Sequence, residues 1–292
     1  MRWTRGTSDA DIEDRRASGG GVRGRLPMGG GGLRLGLGGL ILLAILSVVF
    51  KQDFLSLLDQ MPADTTVSTN VPSGPPADAS PEETERFEFV KFVLNDAQDT
   101  WEKRLPEQGH QYQRAKLVVF RDAVQSACGF AEAATGPFYC PGDQKVYIDL
   151  SFYDELQRRF GAAGEFAEAY VIAHELGHHI QNQLGIDAEV RRMQQARPDR
   201  ANDLSVRLEL QADCLAGAWG HSTAQRNLLE SGDVEAGLNA GAAIGDDRIQ
   251  KMTTGRVMPE RFTHGSSAQR VAWFRRGLES GRLDACDTFA SR

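Results

Sequence analysis

The run His174-Glu175-Leu176-Gly177-His178-His179 carries the residue types and the spacing of a metal-dependent hydrolase. Two histidines four positions apart share one face of a helix, so both imidazoles can reach one ion. His-Glu-x-x-His (HExxH) is the arrangement in which Zn²⁺ takes two such ligands and the glutamate between them acts as a base. A catalytic zinc needs a third protein ligand and one open position for water. Downstream, Glu209 and Asp213 are also four apart. Glu209 is the favoured third ligand, and Asp213 the acceptor that would fix the tautomer of a ligand histidine. Asp213 itself, His179, His221 and His264 are the rival third ligands, and two solvated carboxylates on a helix surface are the plainer alternative. Glu175 points about 100° around the helix from His174. It cannot easily share the ion with both histidines, but it can take a proton from an activated water and pass it to a leaving amine. The oxyanion of such an attack needs a further donor. His264, in Phe262-Thr263-His264-Gly265, is the candidate, against an ordinary surface or packing histidine.

These residues need rigid elements to hold them. Residues 165–184 repeat apolar side chains at spacings of three and four (Phe166, Tyr170, Ala173, Leu176, Ile180), which predicts a helix ended by Gly185. Gly177 leaves room there for another backbone or a substrate. Glu165, Glu168, Gln181 and Asn182 make this helix too polar to lie inside a bilayer. Leu204, Leu208, Ala212, Leu215 and Trp219 predict a second helix carrying Glu209 and Asp213. Residues 145–149 read as a strand, either of the core or placed to pair with an extended substrate. Residues 245–248 read as a polar break in which Asp246 or Asp247 could support the site.

The whole chain sets bounds on that chemistry. A net charge of −7 over 292 residues argues against nucleic acid as the main partner. Residues 1–34 hold seven Arg against four acids together with glycine runs, and are expected to form a disordered tail. Residues 35–50 carry no charge and would span ~24 Å as a helix at ~1.5 Å per residue, somewhat short of a ~30 Å hydrocarbon core. The apolar residues that follow extend this to a transmembrane anchor at 35–58, with a buried core helix and a cleaved signal peptide as rivals. By the positive-inside rule the tail would stay cytoplasmic and the rest would face the periplasm or cell exterior if the protein is bacterial. Residues 59–80 read as a Pro-rich linker. Ser80, Pro81 and Glu83 then predict a helix start with a capping box, opening a folded domain at 81–292. Cys128, Cys140, Cys214 and Cys286 all lie beyond the anchor. An oxidising compartment favours two disulfides, Cys128–Cys140 across a short loop and Cys214–Cys286 by elimination. The alternative is four reduced, buried thiols; no Cys-x-x-Cys spacing offers a structural zinc site.

The chain resembles the neutral zinc metallopeptidase family, membrane-anchored bacterial proteins. The matching segments are Met1-Arg2-Trp3, Glu13-Asp14-Arg15-Arg16, Cys128-Gly129, Pro137-Phe138-Tyr139-Cys140-Pro141, and residues 146–150, 174–179, 209–214, 245–250 and 263–269. The resemblance implies an α+β, zincin-like fold, mainly helical with a small sheet. The Glu-x-x-x-Asp spacing is similar to the gluzincin pattern, which implies Glu209 as ligand and Asp213 as its buttress. The leading expectation is a membrane-anchored zinc peptidase acting on peptide or protein substrates. A zinc-stabilised, non-catalytic scaffold and a hydrolase of non-peptide amides are the competing ones.

Overall fold

The computed structural model describes residues 1–17 and 75–290. Strands β2 (Lys116–Phe120) and β6 (Lys145–Asp149) are near-continuous apolar runs, the pattern of strands covered on both faces. They pair in parallel, with Leu117 opposite Val146 and Val119 opposite Ile148. Strand β5 (Phe138–Cys140) runs antiparallel outside β6, and β1 (Ile12–Asp14) lies parallel outside β2, giving the order β1-β2-β6-β5. Strands β3 (Ala123–Ser126) and β4 (Gly129–Glu132) form a separate hairpin. The expected strand at residues 145–149 therefore exists but is interior. β2 and β5 occupy both of its edges, so it has no edge left for a substrate, and the antiparallel outer strand is β5.

Helices supply the rest: α1 (Pro81–Glu107), α2 (Phe152–Phe160), α3 (Glu165–Gln183), α4 (Ile186–Ala196), α5 (Ala201–Gln225), α6 (Asp233–Ala243), α7 (Asp246–Thr254) and α8 (Ser267–Ser280). The result is the expected mainly helical α+β architecture with a small sheet. Helix α1 begins where expected, with the Ser80 hydroxyl accepting from the Glu83 N–H at 3.1 Å and Pro81 in the first turn. The capping box is not completed. The Glu83 carboxylate instead accepts from Arg16 (3.1 Å) and Arg121 (3.2 Å), because two guanidiniums outcompete one backbone amide. Helix α3 buries its whole predicted stripe and packs on α1, α5 and α6. It meets α5 backbone to backbone: a Cβ added at Gly177 would sit 2.9 Å from the Ala212 Cα and 3.0 Å from its carbonyl oxygen. Both expected disulfides are present, Cys128–Cys140 and Cys214–Cys286, the second tying α5 to the C-terminal segment.

The expected tail at 1–34 needs correction over residues 1–17, which belong to the same compact unit as residues 75–290. β1 pairs with β2, Ile12 opposite Leu117 and Asp14 opposite Val119. The Trp3 ring packs edge-on against Phe89 at 5.4 Å, and its N–H donates to Glu165, the first residue of α3, at 2.9 Å. Arg16 is buried over the Phe87 ring and bonded to Asp14 and Glu83. The glycine runs further along dominated the composition of residues 1–34 and hid a short segment whose charges all have partners. The expected anchor at 35–58 and most of the linker at 59–80 lie outside the described residues. Among the described residues, no helix is long and apolar enough to cross a membrane.

Candidate metal centre

The close approach of Gly177 to Ala212 sets one turn of α3 against one turn of α5. His174 and His178 flank the first contact residue, Glu209 and Asp213 the second. His174 Nε2 and His178 Nε2 are 3.2 Å apart, and Glu209 lies 3.3 Å from the first through one oxygen and 3.5 Å from the second through the other. Each of the three residues offers a ligand atom within 4.8 Å of the others. His179, one position on, faces away: it is fully buried and bonded to the Gln113 carbonyl (2.6 Å) and the Tyr139 hydroxyl (3.0 Å), and burial lowers its pKa. His221 is occupied by the Leu278 carbonyl at 2.8 Å.

Asp213 does not join the three donors. Its side chain is fully buried and accepts from His174 Nδ1 (2.9 Å), from the Tyr170 hydroxyl (2.5 Å), and from Arg270 through Nε (2.9 Å) and Nη2 (2.9 Å). Burial alone would push Asp213 up, but the Arg270 charge and the His174 hydrogen bond hold it below the usual carboxylate range. A carboxylate can only accept, so His174 Nδ1 carries a proton, which leaves Nε2 as the nitrogen able to ligate a metal. Burial disfavours the charged imidazole, yet the hydrogen bond and charge of Asp213, then Glu209, raise the pKa of His174. Glu209 is shifted the other way, burial being outweighed by the His178 charge and the His174 hydrogen bond. Two imidazole nitrogens facing each other at 3.2 Å beside a carboxylate repel unless positive charge lies among them. That donor set, two imidazoles and one carboxylate, fits a Zn²⁺ site with an open position.

The three residues open on a cleft of ≈ 650 Å³. Glu175 lines it, 8 % exposed, next to the donors. β5 contributes Phe138 and Tyr139 to its lining, and His264 lines it too, with about half of its side chain exposed. His264 is carried by a loop folded around Asp246 at the start of α7. The Asp246 Oδ2 accepts from the backbone N–H groups of Thr263 (2.7 Å), His264 (2.6 Å) and Gly265 (3.0 Å), and Oδ1 faces His264 Nδ1 at 3.2 Å. The hydrogen bond to Asp246 raises the His264 pKa, against the effect of burial. Asp247 is used differently, accepting from the Ser267 N–H and hydroxyl to seat α8.

Two residues of this centre were not read from the sequence. Tyr170 belongs to the apolar stripe of α3, and its hydroxyl is what reaches Asp213. Arg270 follows the 263–269 segment directly and is almost wholly buried. A lone Arg on an otherwise apolar helix face was the only available signal.

A family model described as "Putative neutral zinc metallopeptidase" matches residues 1–289. The chain is 47% identical over 294 residues to "Uncharacterized protein YpfJ" of Escherichia coli (strain K12), covering 99% of each chain. It is 42% identical over 219 residues to "Uncharacterized protein Rv2575" of Mycobacterium tuberculosis (strain ATCC 25618 / H37Rv), covering 70% of this chain and 72% of that protein. The same figures hold for "Uncharacterized protein Mb2605" of Mycobacterium bovis (strain ATCC BAA-935 / AF2122/97). No solved structure matches.

Proposed function

The chain belongs to the neutral zinc metallopeptidase family, and from that premise we propose that it is a zincin-like peptidase whose zinc is held by His174, His178 and Glu209. The observation that carries the proposal is the convergence of these three donors, with Glu175, in the lining of an open cleft. Zinc so held would supply Lewis-acid polarisation of a scissile carbonyl and of a water O–H. Glu175 takes the proton of the attacking water and delivers it to the departing nitrogen. His264, whose charged form Asp246 favours, donates to the oxyanion that develops on the carbonyl oxygen. Asp213, fixed by Arg270 and Tyr170, holds His174 in its ligand tautomer. The outer edge of β5 offers backbone groups to an extended peptide laid along the cleft.

The two disulfides support an oxidising compartment, the periplasm or the cell exterior. We read residues 35–58 as the membrane attachment of the protein, and β1 as lying on the same side as the site. A cysteine introduced at exposed Ala10 is expected to react with a membrane-impermeant maleimide in intact cells; protection until the cells are lysed contradicts that placement.

Glu209→Ala tests the ligand set, with zinc content expected to fall well below one ion per chain; unchanged content removes Glu209 from it. Profiling the zinc-loaded full chain on a peptide library separates the enzyme from a zinc-stabilised scaffold, which cleaves nothing. Cleavage of amide-linked cell-wall fragments but no peptide would move the activity to non-peptide amides.

A further inference from the structure

His178 has no carboxylate behind it, yet its outer nitrogen is held as firmly as that of His174. His178 Nδ1 lies 2.9 Å from Gln181 Oε1, one turn along α3. The Gln181 amide nitrogen donates to the Leu208 backbone carbonyl at 2.7 Å and to Gln211 Oε1 at 3.1 Å. The Gln211 amide nitrogen donates in turn to the Cys286 carbonyl at 3.1 Å. Gln181 is fully buried and Gln211 nearly so. The ends of this chain fix its polarity. A backbone carbonyl only accepts, so the Gln211 amide must turn its nitrogen to Cys286 and its oxygen to Gln181. The Leu208 carbonyl independently forces the Gln181 nitrogen toward α5, so its oxygen must face His178. An amide oxygen cannot donate, so His178 Nδ1 must carry a proton, and Nε2 is the nitrogen left to ligate a metal beside Glu209.

We infer that Gln181 and Gln211 are positioning residues for the metal centre. They set the tautomer and ring orientation of His178 and couple both to the segment that the Cys214–Cys286 disulfide fastens to α5. Gln181 also grips α5 at Leu208, the residue before Glu209, so one side chain aligns the ligands of both helices. This inference rests on His178 and Glu209 being zinc ligands.

The test is zinc affinity of the purified full chain, by chelator competition, together with thermal unfolding of the zinc-free protein. Gln181→Met removes the acceptor at similar volume and is expected to weaken zinc about ten- to a hundredfold. Gln181→Glu keeps an acceptor for His178 but turns an oxygen to the Leu208 and Gln211 carbonyl oxygens, so it should recover only part of that loss. Gln211→Met should weaken zinc less and add nothing in a Gln181→Met background, because both act through one chain of bonds. A Cys214→Ala, Cys286→Ala double variant should weaken zinc and be non-additive with Gln211→Met. A purely structural role predicts instead that unfolding temperature drops while zinc affinity stays. Zinc affinity of Gln181→Met within twofold of wild type, or losses at Gln181 and Gln211 that simply add, overturns the inference alone. Failure of the wild type to bind one zinc overturns this inference and the proposed function together.

Discussion

The two histidines of the metal centre are braced in opposite ways. Behind His174 stands a charged cluster, in which the wholly buried Asp213 is shared between the imidazole, Tyr170 and the bidentate Arg270. Behind His178 stands a neutral relay of two amides ending on backbone carbonyls. The difference is one of cost on failure. A buried carboxylate that loses its guanidinium is an uncompensated charge, worth about 3–5 kcal/mol of destabilisation. An amide that loses one hydrogen bond costs about 1–3 kcal/mol. The charged brace also places negative charge behind one ligand, whereas the amide brace orients the other without adding charge. Together they prepare two lone pairs for a cation while charging only one side of the site.

The sharpest way to break this contrast is to remove one member of each brace. Arg270→Met should cost about 3–5 kcal/mol in urea unfolding of the zinc-free protein, against about 1–3 kcal/mol for Gln211→Met. Equal losses would erase the distinction between a charged and a neutral brace. Gly177→Ala attacks both braces at once, since its methyl meets the Ala212 backbone at 2.9–3.0 Å and must part α3 from α5. We expect a loss of about 1–3 kcal/mol with weakened zinc binding, although every bracing side chain is intact. Zinc affinity unchanged by this variant would mean that helix spacing does not set the site.

The smallest effect is expected on the rim, where Asp246 holds His264. Its folded-state pKa is raised above the ordinary 6.5, so the pair contributes fully below about pH 6.5 and is lost as pH rises through the raised value. The alkaline limb of kcat/KM should therefore lie above 6.5, and Asp246→Asn should move it downward while an acceptor remains for the three loop N–H groups. A limb that does not move would detach His264 from turnover and leave the two braces as the whole of the supporting structure.

The parts legible in the sequence were those with periodicity. The α3 stripe and the four-residue spacings of His174/His178 and Glu209/Asp213 placed the donors on helix faces, and loop closure with elimination paired the cysteines. Three things were not legible. Tyr170 and Gln181 serve the site from an apolar stripe and a polar helix face, because a hydroxyl or amide reveals its partner only once α3 and α5 are set together. β6 read correctly as a strand, but its place between β2 and β5 depends on pairings remote in sequence. The first 17 residues precede a glycine-rich run that dominates the composition of residues 1–34. Trp3, Ile12 and Arg16 belong to the folded domain through contacts with Glu165, Leu117 and Glu83 that composition cannot express.

Under the proposed function Glu175 is the base beside a zinc held by His174, His178 and Glu209. Glu175→Gln in the full chain, measured for zinc content and for peptide hydrolysis in the same preparation, tests it most directly. One zinc per chain, as in the wild type, is expected, with hydrolysis abolished. Hydrolysis at the wild-type rate with zinc in place would contradict it.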